Sequence, residues 1–208
     1  SGDIETEGSE REGNSLNENQ NAGSDPDIEI HKKVVSEATE IGSIFVEVAG
    51  REGPAGVTFG FDYIPGSASI GAQSRTDTDA GDATGEADTG TYTAKAEVDN
   101  LITFYVEPTF YLGDFGLYAK GGVTHMDVNT LESIADGTDS STYPNEKVWG
   151  GVLGGGIRYT HSSGFLVKLE YTDTNFQALK LDSTTGNRNR IKADIDYTAT
   201  TLAIGWQF

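Results

Sequence analysis

Thr201-Leu202-Ala203-Ile204-Gly205-Trp206-Gln207-Phe208 is the stretch that decides how this chain folds. Its even positions, Leu202, Ile204, Trp206 and Phe208, are apolar or aromatic, and its odd positions, Ala203, Gly205 and Gln207, are small or polar. Successive side chains of a strand point to opposite faces, so the segment is a strand with one apolar face. The alternation runs into a bulky aromatic at the last residue. Chain ends in water tend to fray, so this pattern fits a strand held in apolar surroundings better than a soluble tail.

Moving outward from that stretch, the same period of two recurs. Phe165, Val167, Leu169 and Tyr171 alternate with Lys168, Glu170 and Thr172. Trp149, Leu153, Ile157 and Tyr159 alternate with Gly150, Val152 and Arg158. The pattern continues through 115–123, 102–112, 57–64 and 44–49. Seven alternating segments with no helical period predict an all-β chain. Short connections at Arg51–Gly56, Gly113-Asp114 and His161–Gly164 alternate with long ones near 66–91, 131–146 and 182–192. That is the organisation of an antiparallel up-and-down barrel, with tight turns on one rim and long loops on the other. A Greek-key sandwich does not segregate its loops in this way.

Composition narrows the classes. The 208 residues carry a formal net charge of -19, which disfavours nucleic acid as a partner, since phosphate binding needs a basic face. With no cysteine there is neither a disulfide framework nor thiol chemistry. No run of 18 apolar residues occurs, so no transmembrane helix is predicted. A barrel strand needs only ~9–11 residues with every second one apolar, so a membrane barrel stays open. Ser1-Gly2-Asp3 opens a polar stretch without the basic start or apolar core of a signal peptide, so an exported protein would already be processed.

Residues 1–27 are acidic and poor in apolar side chains, with Arg11 their one cation. They read as a flexible segment, part of an external loop. The barrel then occupies 28–208. Seven visible strands conflict with the even number normal for bacterial single-chain barrels, and an open edge in lipid would leave backbone groups unpaired. Either the first strand lies upstream of Ser1, which is favoured, or 28–35 and 41–50 form a hairpin. Against the hairpin, Ile28, Ile30, Val34, Ile44, Val46 and Val48 share one parity, as in a single long strand.

Seven charges fall on the polar faces: Glu47, Asp62, Glu107, Lys120, Arg158, Lys168 and Glu170. Alternation has no sign, so they face water in a soluble lipocalin-like barrel or the lumen in a membrane barrel. The membrane reading is preferred, because these faces are rich in Gly, Thr and Tyr but sparse in charge for a solvent surface. Aromatics also gather near the short-turn rim, at Phe110, Tyr111, Phe115, Tyr159, Phe165, Trp206 and Phe208, as in an interfacial girdle. Inward, the three cations and four carboxylates nearly balance, and a lumen of about eight strands is filled by side chains, giving a plugged barrel.

With these features the chain resembles OmpA/OmpX-type small bacterial outer-membrane β-barrel proteins. Asp62-Tyr63-Ile64-Pro65-Gly66, Ile102-Thr103-Phe104-Tyr105 and the Thr201–Phe208 ending are similar to those of marine alphaproteobacterial members. The resemblance implies a bacterial outer-membrane location in a Gram-negative cell envelope. Its terminal Phe would belong to the signal read by the barrel-insertion machinery. The expected role is non-enzymatic: envelope structure or surface interaction through long acidic loops. Expected partners are outer-membrane lipid and a surface ligand, a neighbouring cell or phage.

Other chemistry is poorly supported. His161-Ser162-Ser163 resembles the His-x-Ser of outer-membrane lipid A deacylases, with Glu170 or Asp173 as the acid. A polar turn ending in Gly164 is the simpler reading, and such a turn would lie on the rim away from the outer leaflet. Asp77, Asp79, Asp82, Glu86 and Asp88 miss the glycine and glutamate places of a calcium loop, leaving a solvated acidic loop. Gly150-Gly151 and Gly154-Gly155-Gly156 lack the strand-then-helix context of a phosphate loop. His31 and His125 have no local partners in sequence. No catalytic, cofactor or metal residue is therefore assigned.

Overall fold

The computed structural model describes residues 1–11, 30–78, 89–134, 142–184 and 190–208. These form strands β1 (Gly2–Arg11), β2 (Ile30–Thr39), β3 (Ile44–Glu52), β4 (Ala55–Thr78) and β5 (Thr89–Leu112). They continue as β6 (Phe115–Ile134), β7 (Glu146–Thr160), β8 (Phe165–Phe176), β9 (Leu179–Asp182) and β10 (Arg190–Trp206). Every ladder is antiparallel, and neighbours run β2-β1-β10-β8-β7-β6-β5-β4-β3, with β9 also on β10. β2 and β3 are two pieces of one wall position, as are β8 and β9, so ten strands make eight positions.

Turn chemistry sets the registers. Gly113 takes φ +65 at the first place of a two-residue turn, which only glycine adopts freely, and Leu112 then pairs with Phe115. From that pair the register runs upward without change to Val106 opposite Gly121 and Ile102 opposite His125. Above it, β5 shifts register between Asp99 and Ile102, with Asn100 at φ 53. This bulge exchanges the faces of the strand. Below it Thr103, Tyr105 and Glu107 are buried; above it Val98 and Ala96 pack against the interior core.

The structure differs from the sequence reading at the start of the chain. Gly2–Arg11 form β1, laddered to β10 on one edge and β2 on the other. Gly2, Ile4 and Thr6 point inward, while Asp3, Glu5 and Glu7 are exposed. Asp3, Glu5 and Glu7 thus share one face of the strand. Residues 12–29 lie outside the described residues. β1 supplies the strand that was expected upstream of Ser1, and the alternative, a hairpin of 28–35 with 41–50, does not form among the described residues. Instead β2 pairs with β1 and β3 with β4, so one wandering strand changes neighbours at Glu40–Ser43. Val34, Ile44, Val46 and Val48 are all exposed on its outer face, in keeping with their common parity.

The strands also reach further than alternation suggested. Residues 66–78 belong to β4, 89–91 to β5 and 131–134 to β6. Glu146 opens β7, Asp182 closes β9, and 190–192 belong to β10. Thr200–Trp206 of β10 ladder to β8 on one edge, and no ladder forms on their other edge among the described residues. There the Ser1 amino group donates to the Thr200 carbonyl at 3.0 Å.

Candidate functional site

The lower half of the wall, nearest the short turns, is apolar outside and charged inside. On β6, Phe115, Leu117 and Val123 are exposed, while Tyr118, Lys120 and Thr124 are buried. On β8, Leu169 and Tyr171 are exposed, while Lys168, Glu170 and Thr172 are buried. The arrangement requires an apolar medium outside, so the soluble lipocalin-like alternative does not describe this wall.

Six of the seven charges meet in the lumen. Lys168 Nζ donates to both oxygens of Glu107, at 2.7 and 2.9 Å, and to Glu47 Oε1. Arg158 donates to Glu47 Oε2 at 3.2 Å and to Thr58 Oγ1 at 2.9 Å, and stands 3.7 Å from Glu107. Lys120 donates to Glu170 at 2.7 Å and stands 3.9 Å from Glu107. Glu107 is 0% exposed and Arg158 3%. Three cations thus face three carboxylates, a balance that burial demands because an unpaired charge in a dry interior is costly. Asp62 stands apart. It makes none of these ion pairs, and its buried Oδ1 has no hydrogen-bond partner among the described residues.

Period-two reasoning missed the tyrosines that complete the network. Tyr105 donates to Glu47 at 2.9 Å and Tyr118 to Glu170 at 3.0 Å, and Lys120 Nζ lies 3.8 Å from the Tyr105 ring centre. Both of these rings lie across from glycine. Tyr105 is opposite Gly60 on one side and Gly122 on the other, and Tyr118 is opposite Gly156. A methyl group at Gly60 would sit 2.1 Å from the Tyr105 ring, so the ring occupies the space a side chain would fill. The signal was available: counting back from the Gly113-Asp114 turn pairs Tyr105 with Gly122.

Of the aromatics assigned to the girdle, Phe110, Phe115, Phe165, Trp206 and Phe208 are exposed, and Tyr159 is half-buried against Phe115 at 4.9 Å between ring centres. Tyr111 is different. It has the inward parity of β5, is buried, and carries the Arg51 guanidinium 4.1 Å above its ring. Proximity in sequence to Phe110 placed it on the wrong face.

Above the lower half both faces change character. Outward on β10, Trp206, Ile204 and Leu202 give way to Thr200, Thr198, Asp196 and Asp194, while inward Ala199, Ile195 and Ala193 are buried. On β6, Val123 gives way outward to His125, Asp127 and Asn129, while Met126 and Val128 are buried within. Ile4, Ile70, Met126, Val128, Val148, Leu179, Leu181, Ala193 and Ile195 form one apolar core there. The apolar outer band on β6 therefore runs from Phe115 to Val123, about the ~9–11 residues one crossing needs. Trp149 and His125 stack at its upper edge, 5.0 Å between ring centres.

His161 Nδ1 lies 2.8 Å from Ser163 Oγ and accepts the Ser163 backbone N–H at 3.2 Å. These bonds tie a turn at the lower rim. Glu170 is engaged with Lys120 and Tyr118 in the lumen, and Asp173 accepts from Asn175 far up β8, so neither orients His161. Among the described residues no group of three His, Asp or Glu is placed to hold a metal. Of the acidic loop, only Asp77 is described, in β4; Asp79, Asp82, Glu86 and Asp88 lie outside the described residues.

A family model of the outer membrane protein β-barrel domain matches residues 42–208. The chain belongs to this family. Its place is therefore the bacterial outer membrane, and the aliphatic face of the barrel meets lipid. No curated protein sequence matches. Among solved structures, the outer-membrane barrel resembles Ail, the attachment invasion locus protein of Yersinia pestis, at 10% identity and TM-score 0.35, covering 96% of each chain. A structure of Ail with the heparin analogue sucrose octasulfate aligns at 11% identity and TM-score 0.33, again covering 96% of each chain. Ail in a phospholipid nanodisc aligns at 10% and 0.30, covering 95% of this chain and 99% of that one. Scores this low add nothing to the family assignment.

Proposed function

We propose that this protein is a non-enzymatic outer-membrane barrel whose lumen is closed by the Glu47–Glu107–Lys120–Arg158–Lys168–Glu170 network. It serves the envelope as a structural element or a surface-interaction scaffold, presenting acidic long loops to a ligand, a neighbouring cell or phage. The observation that carries this reading is the neutral cluster of buried, hydrogen-bonded charges beneath an outward apolar band. Such a cluster fills the space that an open pore would need.

Reconstitution tests it. The folded protein requires detergent or lipid, migrates differently on an SDS gel before and after boiling, and gives no steady channel current in a planar bilayer. Porin-like conductance would remove the closed lumen, and a detergent-free soluble monomer would remove the membrane barrel.

A further inference from the structure

We infer that the upper lumen holds the end of a hydrocarbon chain, which enters sideways through a seam in the wall. Three observations converge on one place. β3 leaves β4 at the pair Ile44–Tyr63, and above that height β4 pairs with β5, while β2 pairs with β1. Beside this parting, β4 bulges between Ile64 and Ser67, with Gly66 at φ +97. At the same height, a cavity of about 190 Å³ is lined by Ile4, Ile41, Ile64, Met126, Phe176 and Ile195, among others.

The cavity has a mouth and a floor. Glu40, Gly42, Pro65, Gly66 and Ser67, which line it at the seam, are exposed, whereas Ile4, Met126 and Ile195 are buried. The mouth lies just above Tyr63, where the outward apolar row of β4, Val57, Phe59, Phe61 and Tyr63, ends and exposed Pro65, Gly66 and Ser67 begin. The end of that row is the upper edge of the lipid-facing band on this strand, where hydrocarbon meets headgroups. A cavity of about 150 Å³ takes up a molecule such as benzene, so the volume here suits the end of a single alkyl chain, which would lie against the apolar floor of Ile4, Met126 and Ile195. Glu40 and Asp99 among the lining residues disfavour an anionic head, and the ligand class is therefore an uncharged single-chain amphiphile or the chain end of an outer-leaflet lipid. The inference rests on the membrane-barrel reading.

The chain has one methionine, Met126, at the cavity floor, so a methyl-labelled sample gives one methionine methyl signal. The experiment places the protein in phosphatidylcholine nanodiscs and adds decan-1-ol. With chain-deuterated lipid, the Met126 methyl is expected to show a saturable shift and nuclear Overhauser contacts to the decanol chain. With protonated lipid and no decanol, contacts to lipid chain ends identify the bilayer as the source. Contacts to neither overturn the site. Ala68→Phe, which fills the cavity from its wall, abolishes the contacts; Ile41→Trp does the same from the mouth if the first variant does not fold. Contacts that persist in a folded, filled variant also overturn the site. Heat-dependent gel migration of the same sample separates the two readings: a barrel that inserts without binding sinks this inference alone, and a chain that does not insert sinks the barrel.

Discussion

Gly60 shows how closely single residues are specified. The Tyr105 ring fills the space beside it, held by the bond to Glu47. Gly60→Ala is expected to cost ~1–3 kcal/mol, the usual cost of overpacking a filled interior. Gly151 faces outward with open space around it, and Gly151→Ala is expected to change little. Urea unfolding in lipid vesicles compares the two, and equal effects would contradict the packing account. Glu107 is the other test at this scale. It touches Lys168, Lys120 and Arg158, so Glu107→Ala leaves three buried cations against two carboxylates. Breaking a buried pair costs ~3–5 kcal/mol, and the same unfolding assay reads it. The interior parity of Glu107 was legible in sequence. The separation of Asp62 from the other six was not, because parity says which face a side chain takes and not which lumen charges it can reach.

At the scale of the element, β10 carries the boundary of the membrane along one strand. Leu202 is 67% exposed on the lipid face, and Thr198 lies four residues further up the same face. Arg on the lipid face costs ~2–4 kcal/mol at the midplane and ~0–1 near the interface. Leu202→Arg is therefore expected to destabilise the folded barrel substantially, and Thr198→Arg hardly at all, as measured by the unfolding midpoint in vesicles. A similar loss from both would place the boundary above Thr198. The first strand teaches the converse lesson. Gly2-Asp3-Ile4-Glu5-Thr6-Glu7 alternates small or apolar with acidic residues, a visible period of two. Its average composition hid the pattern, since outward acids on a solvated strand look like disorder when counted together. Tyr111 was misplaced for a related reason: an aromatic near the rim looks interfacial until parity is applied through the turn.

For the whole molecule, the two tryptophans mark the two edges of the lipid band. Trp206 stands beside Phe165 next to the short turns, and Trp149 stacks on His125 at the opposite edge. Both are half-exposed on the outer face. Bromine near the headgroups of phosphatidylcholine is expected to quench both more strongly than bromine at the chain ends. The Trp149→Phe and Trp206→Phe variants separate the two signals, and stronger quenching from the chain ends would place the band elsewhere. Between these edges the interior is ionic, and above Trp149 it is apolar. The barrel thus joins a membrane half, with lipid outside and charge within, to a water-facing half with an ordinary hydrophobic core.

By itself the sequence determined the all-β class, the up-and-down order and the parity of nearly every lower-wall side chain. These are local properties: a pleat with a period of two and turns such as Gly113-Asp114 set them without distant partners. Tertiary structure alone decided the rest. Alternation has no sign, so only the assembly of the strands into one curved wall put Lys168, Arg158 and Glu107 together and sent Val46 and Leu202 outward. The neighbour exchange of β2 and β3, the reversal of β5 at Asn100 and the seam beside Gly66 depend on which strands come to lie side by side. That is settled only when the whole wall is assembled.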